Sequence, residues 1–267
     1  MRKARLILLF SLSFFSMYAQ NSDGDISIEE MTKRRQNPVE GLRSIYLQSV
    51  LIPDTGENGT AQSYSVQPVW PFKISENLKL ITYTIIPVQY LPKLEPMEDS
   101  TFGLGNILFN GYFSPTKKKG KLVYGAGPAL QLPTRTDAAL GSNSVSLGPS
   151  VLLYYAGDKF SAGAVVQNYW SLGGTGINKV DLFSIQYMAY YNFNKGWFAS
   201  SNTTIEADWL AEEGQKWLVP IGGGAGKTFQ IGKSKQFYCG TAQVFYNVEK
   251  PDYVGKWEII FQLQIIL

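Results

Sequence analysis

The sequence predicts an all-β chain, an antiparallel transmembrane β-barrel of about twelve strands with an N-terminal periplasmic or plug segment. Three observations predict it. From Gly41 onward, segments of about ten residues alternate apolar and polar side chains with a period of two. Turn residues separate them, in links that are by turns short and long. No apolar run of the roughly 20 residues that a spanning helix needs follows the N-terminal one.

The chain opens with Arg2, Lys3 and Arg5 ahead of an apolar run from Leu6 to Met17 and a small residue, Ala19, before Gln20. This is the form of a secretory signal, with cleavage expected after Ala19. The expected division is therefore 1–19 signal peptide, 20–40 polar segment and 41–267 barrel. Losing residues 1–19 removes three of the 24 basic residues and none of the 21 acidic ones, so the exported part is balanced in charge. The basic excess that a nucleic-acid surface requires is then absent, and no nucleic-acid partner is expected. In the polar segment, Ile26, Ile28 and Met31 stand among charges and Pro38 closes the stretch. A short helix around Ile28 to Arg35 is predicted, as a periplasmic tether or as a plug.

The strand pattern is clearest at the C-terminus. Trp257, Ile259, Phe261, Leu263, Ile265 and Leu267 fall on one face, and Glu258, Gln262 and Gln264 on the other, with Ile260 and Ile266 as exceptions. A strand between lipid and a wet lumen needs this alternation. Tyr238, Val244 and Tyr246 oppose Thr241, Gln243 and Asn247; Trp197, Ile205 and Trp209 oppose Ser200, Asn202 and Thr204. Likewise Leu147, Val151, Leu153 and Tyr155 oppose Ser144, Ser146 and Ser150, and Tyr64, Val66, Trp70 and Phe72 oppose Ser63, Ser65 and Gln67. Further strands are expected to begin near Ser44, Leu78, Phe102, Leu122, Phe160, Leu182 and Trp217.

Aromatic residues near strand ends, Tyr154, Tyr155, Tyr169, Trp170, Trp197, Trp209, Trp217 and Trp257, are expected to form the girdles at the two membrane interfaces. Short links (Lys73 to Asn77, Pro115 to Gly120, Ala156 to Lys159, Asn194 to Gly196, Gly232 to Lys235) are assigned to the periplasm. Longer ones (Pro53 to Thr60, Gln89 to Thr101, Pro133 to Asn143, Ser171 to Lys179, Ala211 to Gln215, Glu249 to Gly255) are assigned outside. Pro68, Pro87, Pro128, Pro149 and Pro220 fall inside proposed strands, where each removes a ladder hydrogen bond, so bulges or membrane-edge positions are expected there.

Catalytic chemistry finds little to work with. The chain has no histidine and one cysteine, Cys239. That removes Ser-His-Asp, Cys-His and His-ligated zinc chemistries, and leaves no internal disulfide. The stretch GGGAGKT, Gly222 to Thr228, has the end of a phosphate-binding loop, but Ile221 stands where that loop needs glycine and no helix pattern follows. Neither cofactor nor metal is expected. Three carboxylates have lumen parity, Glu206, Asp208 and Glu258, and acidic lumen positions favour cation passage unless they are paired.

The stretches QNPVEGLRSIYLQ (Gln36 to Gln48), QPVWPF (Gln67 to Phe72), LITYTIIPV (Leu80 to Val88), FSPTKKKGKLVYGAGPALQLPTRTDAALGS (Phe113 to Ser142) and KWLVPIGGGAGKTFQIGK (Lys216 to Lys233) carry a resemblance. They resemble a bacterial outer-membrane transporter family, at times mislabelled "neuromedin U" and related to the MetA-pathway barrels of phenol degradation. The resemblance implies an outer-membrane barrel that admits small hydrophobic or aromatic compounds, with no catalytic residues carried over. The expected function is thus a passive, porin-like channel or transporter in the outer membrane of a Gram-negative cell. The alternative is a structural or surface-interaction barrel with a blocked lumen. Expected partners are outer-membrane lipid, the outer-membrane assembly machinery and a small-molecule solute.

Overall fold

The structure is a computed structural model that describes residues 26–94, 99–117, 120–173, 179–232 and 235–267. The expected signal, 1–19, and the first residues of the polar segment lie outside the described residues.

A single helix, α1 (Ile28–Gln36), precedes the strands β1 (Ser44–Thr55), β2 (Gly59–Lys73), β3 (Leu78–Leu91), β4 (Thr101–Leu104), β5 (Ile107–Pro115), β6 (Leu122–Leu132) and β7 (Ser146–Tyr155). There follow β8 (Phe160–Ser171), β9 (Asp181–Asn192), β10 (Trp197–Asp208), β11 (Trp217–Gln230), β12 (Phe237–Glu249) and β13 (Trp257–Ile266). Every pairing is antiparallel, with β3 rather than β4 pairing β5. The ring closes where β1 pairs β13, from Ser44 opposite Ile266 to Leu51 opposite Ile259, and where β2 pairs β3. Twelve strands make the closed barrel, and short β4 pairs only with the far end of β3, outside the ring. A closed ladder leaves no unpaired edge, the condition for strands to cross lipid. The segment expected to start near Phe102 is thus two strands, broken at Gly105 and Asn106.

Alternation sets which way each strand faces. Phe261 is 51% exposed and Trp257 49%, while Gln264 and Glu258 between them in parity are buried. Val151, Leu153 and Tyr155 point out and Ser146 and Ser150 in. Two of the expected girdle residues do not belong there: Tyr154 and Tyr169 are buried inside the barrel. Their parity matches that of their inward neighbours, and parity outranks nearness to a strand end. The other girdle residues stand outside, where Trp209 and Trp217 meet edge to face at 5.5 Å beside Phe183. Ala207, flanked in register by Phe183 and Trp217, is buried on that outer face because large rings stand on both sides of a small side chain.

The prolines sit at breaks. No residues pair across β2 and β3 at Pro68, across β5 and β6 at Pro128, or across β7 and β8 at Pro149. Pro87 falls between the parts of β3 that pair β5 and β4, and Pro220 lies at a register shift between β11 and β12. Without an N–H, each proline leaves a carbonyl unmatched, and the ladder parts locally.

Link lengths follow the expected alternation, with one correction. Pro53 to Thr60 is not a long loop: β1 and β2 extend to Thr55 and Gly59, and positive φ at Asp54, Gly56 and Asn58 turns the chain tightly. GGGAGKT runs through β11 as extended strand, and no helix follows it. A Cβ on Gly224 would run into the carbonyl oxygen of Ala242, so glycine here serves close strand approach.

Candidate functional site

The interior of the barrel is the candidate site, and α1 sits at its short-turn end. Ser27 caps the helix by accepting from Glu30 N at 3.1 Å; Glu29 and Glu30 lie in the first turn and Lys33, Arg34 and Arg35 in the last. Both ends suit the helix dipole. Asn37 closes the helix and Pro38 cannot continue it.

Side chains of α1 reach the wall. Arg35 Nε donates to Gln264 Oε1 at 2.9 Å. Gln36 donates to Asn192 Oδ1 at 2.7 Å, and its own oxygen accepts from Asn192 Nδ2 and Ser161 Oγ. Glu29 accepts from the backbone N–H of Lys195 in the β9–β10 turn at 2.9 Å. Met31 packs with Phe237 and Ile266. Lys33 lies 4.0 Å from Asp158 in the β7–β8 turn, where Lys121 also bonds Asp158 at 2.7 Å. The Lys121 hydrogen bond and charge, with Lys33 adding to them, hold the Asp158 carboxyl below the usual range. Of the two expected roles for this segment, tether or plug, the geometry is that of a plug.

Three spaces stand out among the described residues. A central cavity of about 100 Å³ is bounded by the plug on one side and by Tyr46, Gln67, Tyr83, Gln186 and Gln262 among others on the wall. A vestibule of about 420 Å³ opens at the long-loop end, with Asp181, Asp208 and Lys179 in its lining. A third space of about 310 Å³ lies at the short-turn end, beside Lys79 and Val39. Phe198 and Phe245 are fully buried on the inner face of the wall and narrow the lumen.

The three carboxylates expected in the lumen separate by role. Asp208 is exposed at the vestibule and accepts from Leu210 N at 2.9 Å. Glu206 stands on the inner face of β10 opposite Ser184 and Leu218 and is half-buried. Glu258 is 7% exposed and accepts from Thr203 Oγ1 at 3.0 Å. That bond crosses β11 and β12, whose Gly222 presents no side chain in the row. The β10–β11 ladder is unpaired from Ser201 to Ile205, which lets Thr203 turn to Glu258; Tyr187 and Ser201 hydroxyls cap the freed carbonyls of Pro220 and Gly222.

Sequence reasoning missed Arg35. Its Cζ lies 4.8 Å from the Phe198 ring centroid and 5.9 Å from that of Tyr190. Burying a lone guanidinium costs several kcal/mol; a cation–π contact returns about 2 kcal/mol at a desolvated site. Nη1 has no hydrogen-bond partner among the described residues. Its only sequence signal is a basic residue one position before the polar Gln36 at a helix end, which does not tell a solvated charge from a buried one. Among the described residues, no group of three or more Cys, Asp or Glu comes together as a metal site.

A closed antiparallel ring, apolar outside and polar and plugged within, defines an outer-membrane β-barrel. The chain belongs to the family described as "Putative MetA-pathway of phenol degradation", whose profile matches residues 48–261. Among solved structures, the COG4313 outer membrane channel from Pseudomonas putida F1 is similar at a TM-score of 0.62 and 13% identity, over 85% of this chain and 96% of that one. The NanC porin is similar at a TM-score of 0.52 and 8% identity, over 84% and 98% of the two chains. Both likenesses are of fold. No curated protein matches the sequence.

Proposed function

We propose that this protein is a passive outer-membrane channel for small hydrophobic or aromatic molecules, closed toward the periplasm by its N-terminal helix. The observation that carries the reading is the plug itself. α1 is held to the wall by side-chain hydrogen bonds to Gln264, Asn192 and Ser161, not by a disulfide or a shared strand, so it can leave the lumen on its link to β1 without opening the ladder. The solved relatives of the same fold are a channel and a porin, and the family is named for phenol degradation, which supports a small organic solute. On this reading residues 1–19 direct export and are removed, the assembly machinery inserts the barrel, and neither catalysis nor nucleic-acid binding is part of its work. Glu206 and Asp208 form the acidic outer half of the passage, and Glu258 is held by Thr203.

A second reading, a structural barrel with a blocked lumen, is favoured by fully buried Phe198 and Phe245 and by the small central cavity. Planar-bilayer conductance of the exported chain with and without Gln20 to Glu40 separates the two. The channel reading expects a larger current after the deletion; absence of current in both forms would overturn it in favour of the blocked barrel.

A further inference from the structure

We propose that the central cavity of the lumen binds a small organic monocarboxylate through Arg35. The proposal goes beyond the channel reading: it names a ligand of the lumen with the helix in place, distinct from the hydrophobic or aromatic solute that passes once the helix has left, and the site can be tested without flux.

Among the described residues, twenty-one line the cavity, and Arg35 is the only charged one of these. Its side chain is 7% exposed, one nitrogen is spent on Gln264, and Nη1 has no partner among the described residues. It forms no ion pair with a described carboxylate. A buried cation without a counter-charge is stabilised by an anion that enters beside it. One positive charge suits a monoanion, since a dianion would leave a net negative charge in the same enclosure. The planar guanidinium fork matches the two oxygens of a carboxylate.

The apolar part of the lining selects the rest of the ligand. Val69, Ile81, Leu152, Val165 and Met188 supply alkyl surface, while Gln262 and Gln264 supply amides near the charge. An occupant with a charged head and a short apolar tail meets both. The volume of about 100 Å³ is below the roughly 150 Å³ of an engineered cavity that accepts benzene. With the plug in place the site therefore favours a short-chain acid over a ring.

The test uses the full exported chain folded in detergent. Saturation-transfer NMR is run at fixed ionic strength with butyrate, with n-butanol as its uncharged counterpart, and with chloride as competitor. Butyrate should bind saturably, n-butanol at least tenfold more weakly, and Arg35→Gln should weaken butyrate at least tenfold while Lys73→Gln, which removes an exposed charge from the end of β2, leaves it unchanged. No saturable butyrate binding, equal binding of the alcohol, or displacement by equimolar chloride would each overturn the proposal. Should Arg35→Gln fail to fold, the thermal midpoint of the unsubstituted protein decides: a rise with butyrate and not with n-butanol supports the site, and no difference overturns it. Butyrate binding without bilayer current keeps the site and removes the channel reading; current without butyrate binding removes the site and keeps the channel.

Discussion

Arg35 and Gln264, 229 positions apart in the chain, meet in the lumen with the guanidinium Nε donating to the amide oxygen at 2.9 Å. The bond joins the plug to the last strand, which is also the strand that closes the ring. Replacing Gln264 by Leu removes the acceptor and leaves a second guanidinium nitrogen unmatched, at a cost of about 1–3 kcal/mol, the desolvation penalty of an unsatisfied buried group. The barrel should still fold, but trypsin should cut at Lys33 or Arg34 faster and current fluctuations should grow. Unchanged cleavage would mean that Gln36 and Glu29 hold the helix without Arg35. Gln264→Lys should be worse, since it sets two cations side by side.

Facing gives the second prediction. Phe261→Lys places a charge on the lipid side near the middle of β13 and should cost about 2–4 kcal/mol, while Gln262→Glu, one residue on and lining the cavity that holds Arg35, should be mild because the added carboxylate meets an unpaired cation. Urea unfolding in detergent or lipid, with gel migration before and after boiling as the fold control, measures both. Equal tolerance of the two would place the inner and outer faces wrongly.

The carboxylates give the third. Glu206→Gln together with Asp208→Asn preserves size and hydrogen bonding while removing two negative charges from the outer half of the lumen. If the chain conducts, it should prefer cations there, because fixed charge in a low-dielectric wall is weakly screened. The reversal potential under a salt gradient should move toward zero in the double variant. No movement would place both groups off the path. Glu258→Gln should move it less, since Glu258 is engaged by Thr203.

Acid gives the fourth. The Asp158 carboxyl titrates below its ordinary value of 3.8 because Lys121 bonds it and Lys33 adds to the effect. A depressed carboxylate contributes its stabilisation fully above the ordinary value and loses it as pH falls through the lowered one. Between pH 7 and 5 the contact of α1 with the β7–β8 turn should therefore be unaffected, and below about pH 4 it should weaken. Asp158→Asn should abolish that acid step in plug protection from protease. The step is small, since both partners are exposed. Its persistence in the variant would assign it to another group.

What the sequence by itself determined is the barrel. Strand starts at Ser44, Leu78, Leu122, Phe160 and Trp217 and the inward faces of β7, β12 and β13 were legible because alternation is local: lipid on one side and polar filling on the other constrain every second residue. Tyr154 and Tyr169 are the exception: nearness to strand ends predicts a girdle position for them, and the structure buries them inside, on the side their parity gives. Tertiary structure alone decided the contents of the lumen. The seating of α1 on Gln264, Asn192 and Ser161, the capture of Glu258 by Thr203, and the burial of Arg35 against Phe198 all bring together residues that face one another only once the ring has closed. Contacts across a lumen have no period along the chain. The break between β4 and β5 is decided the same way, since β4 pairs only with the end of β3 beyond Pro87, where the ladder to β5 has stopped.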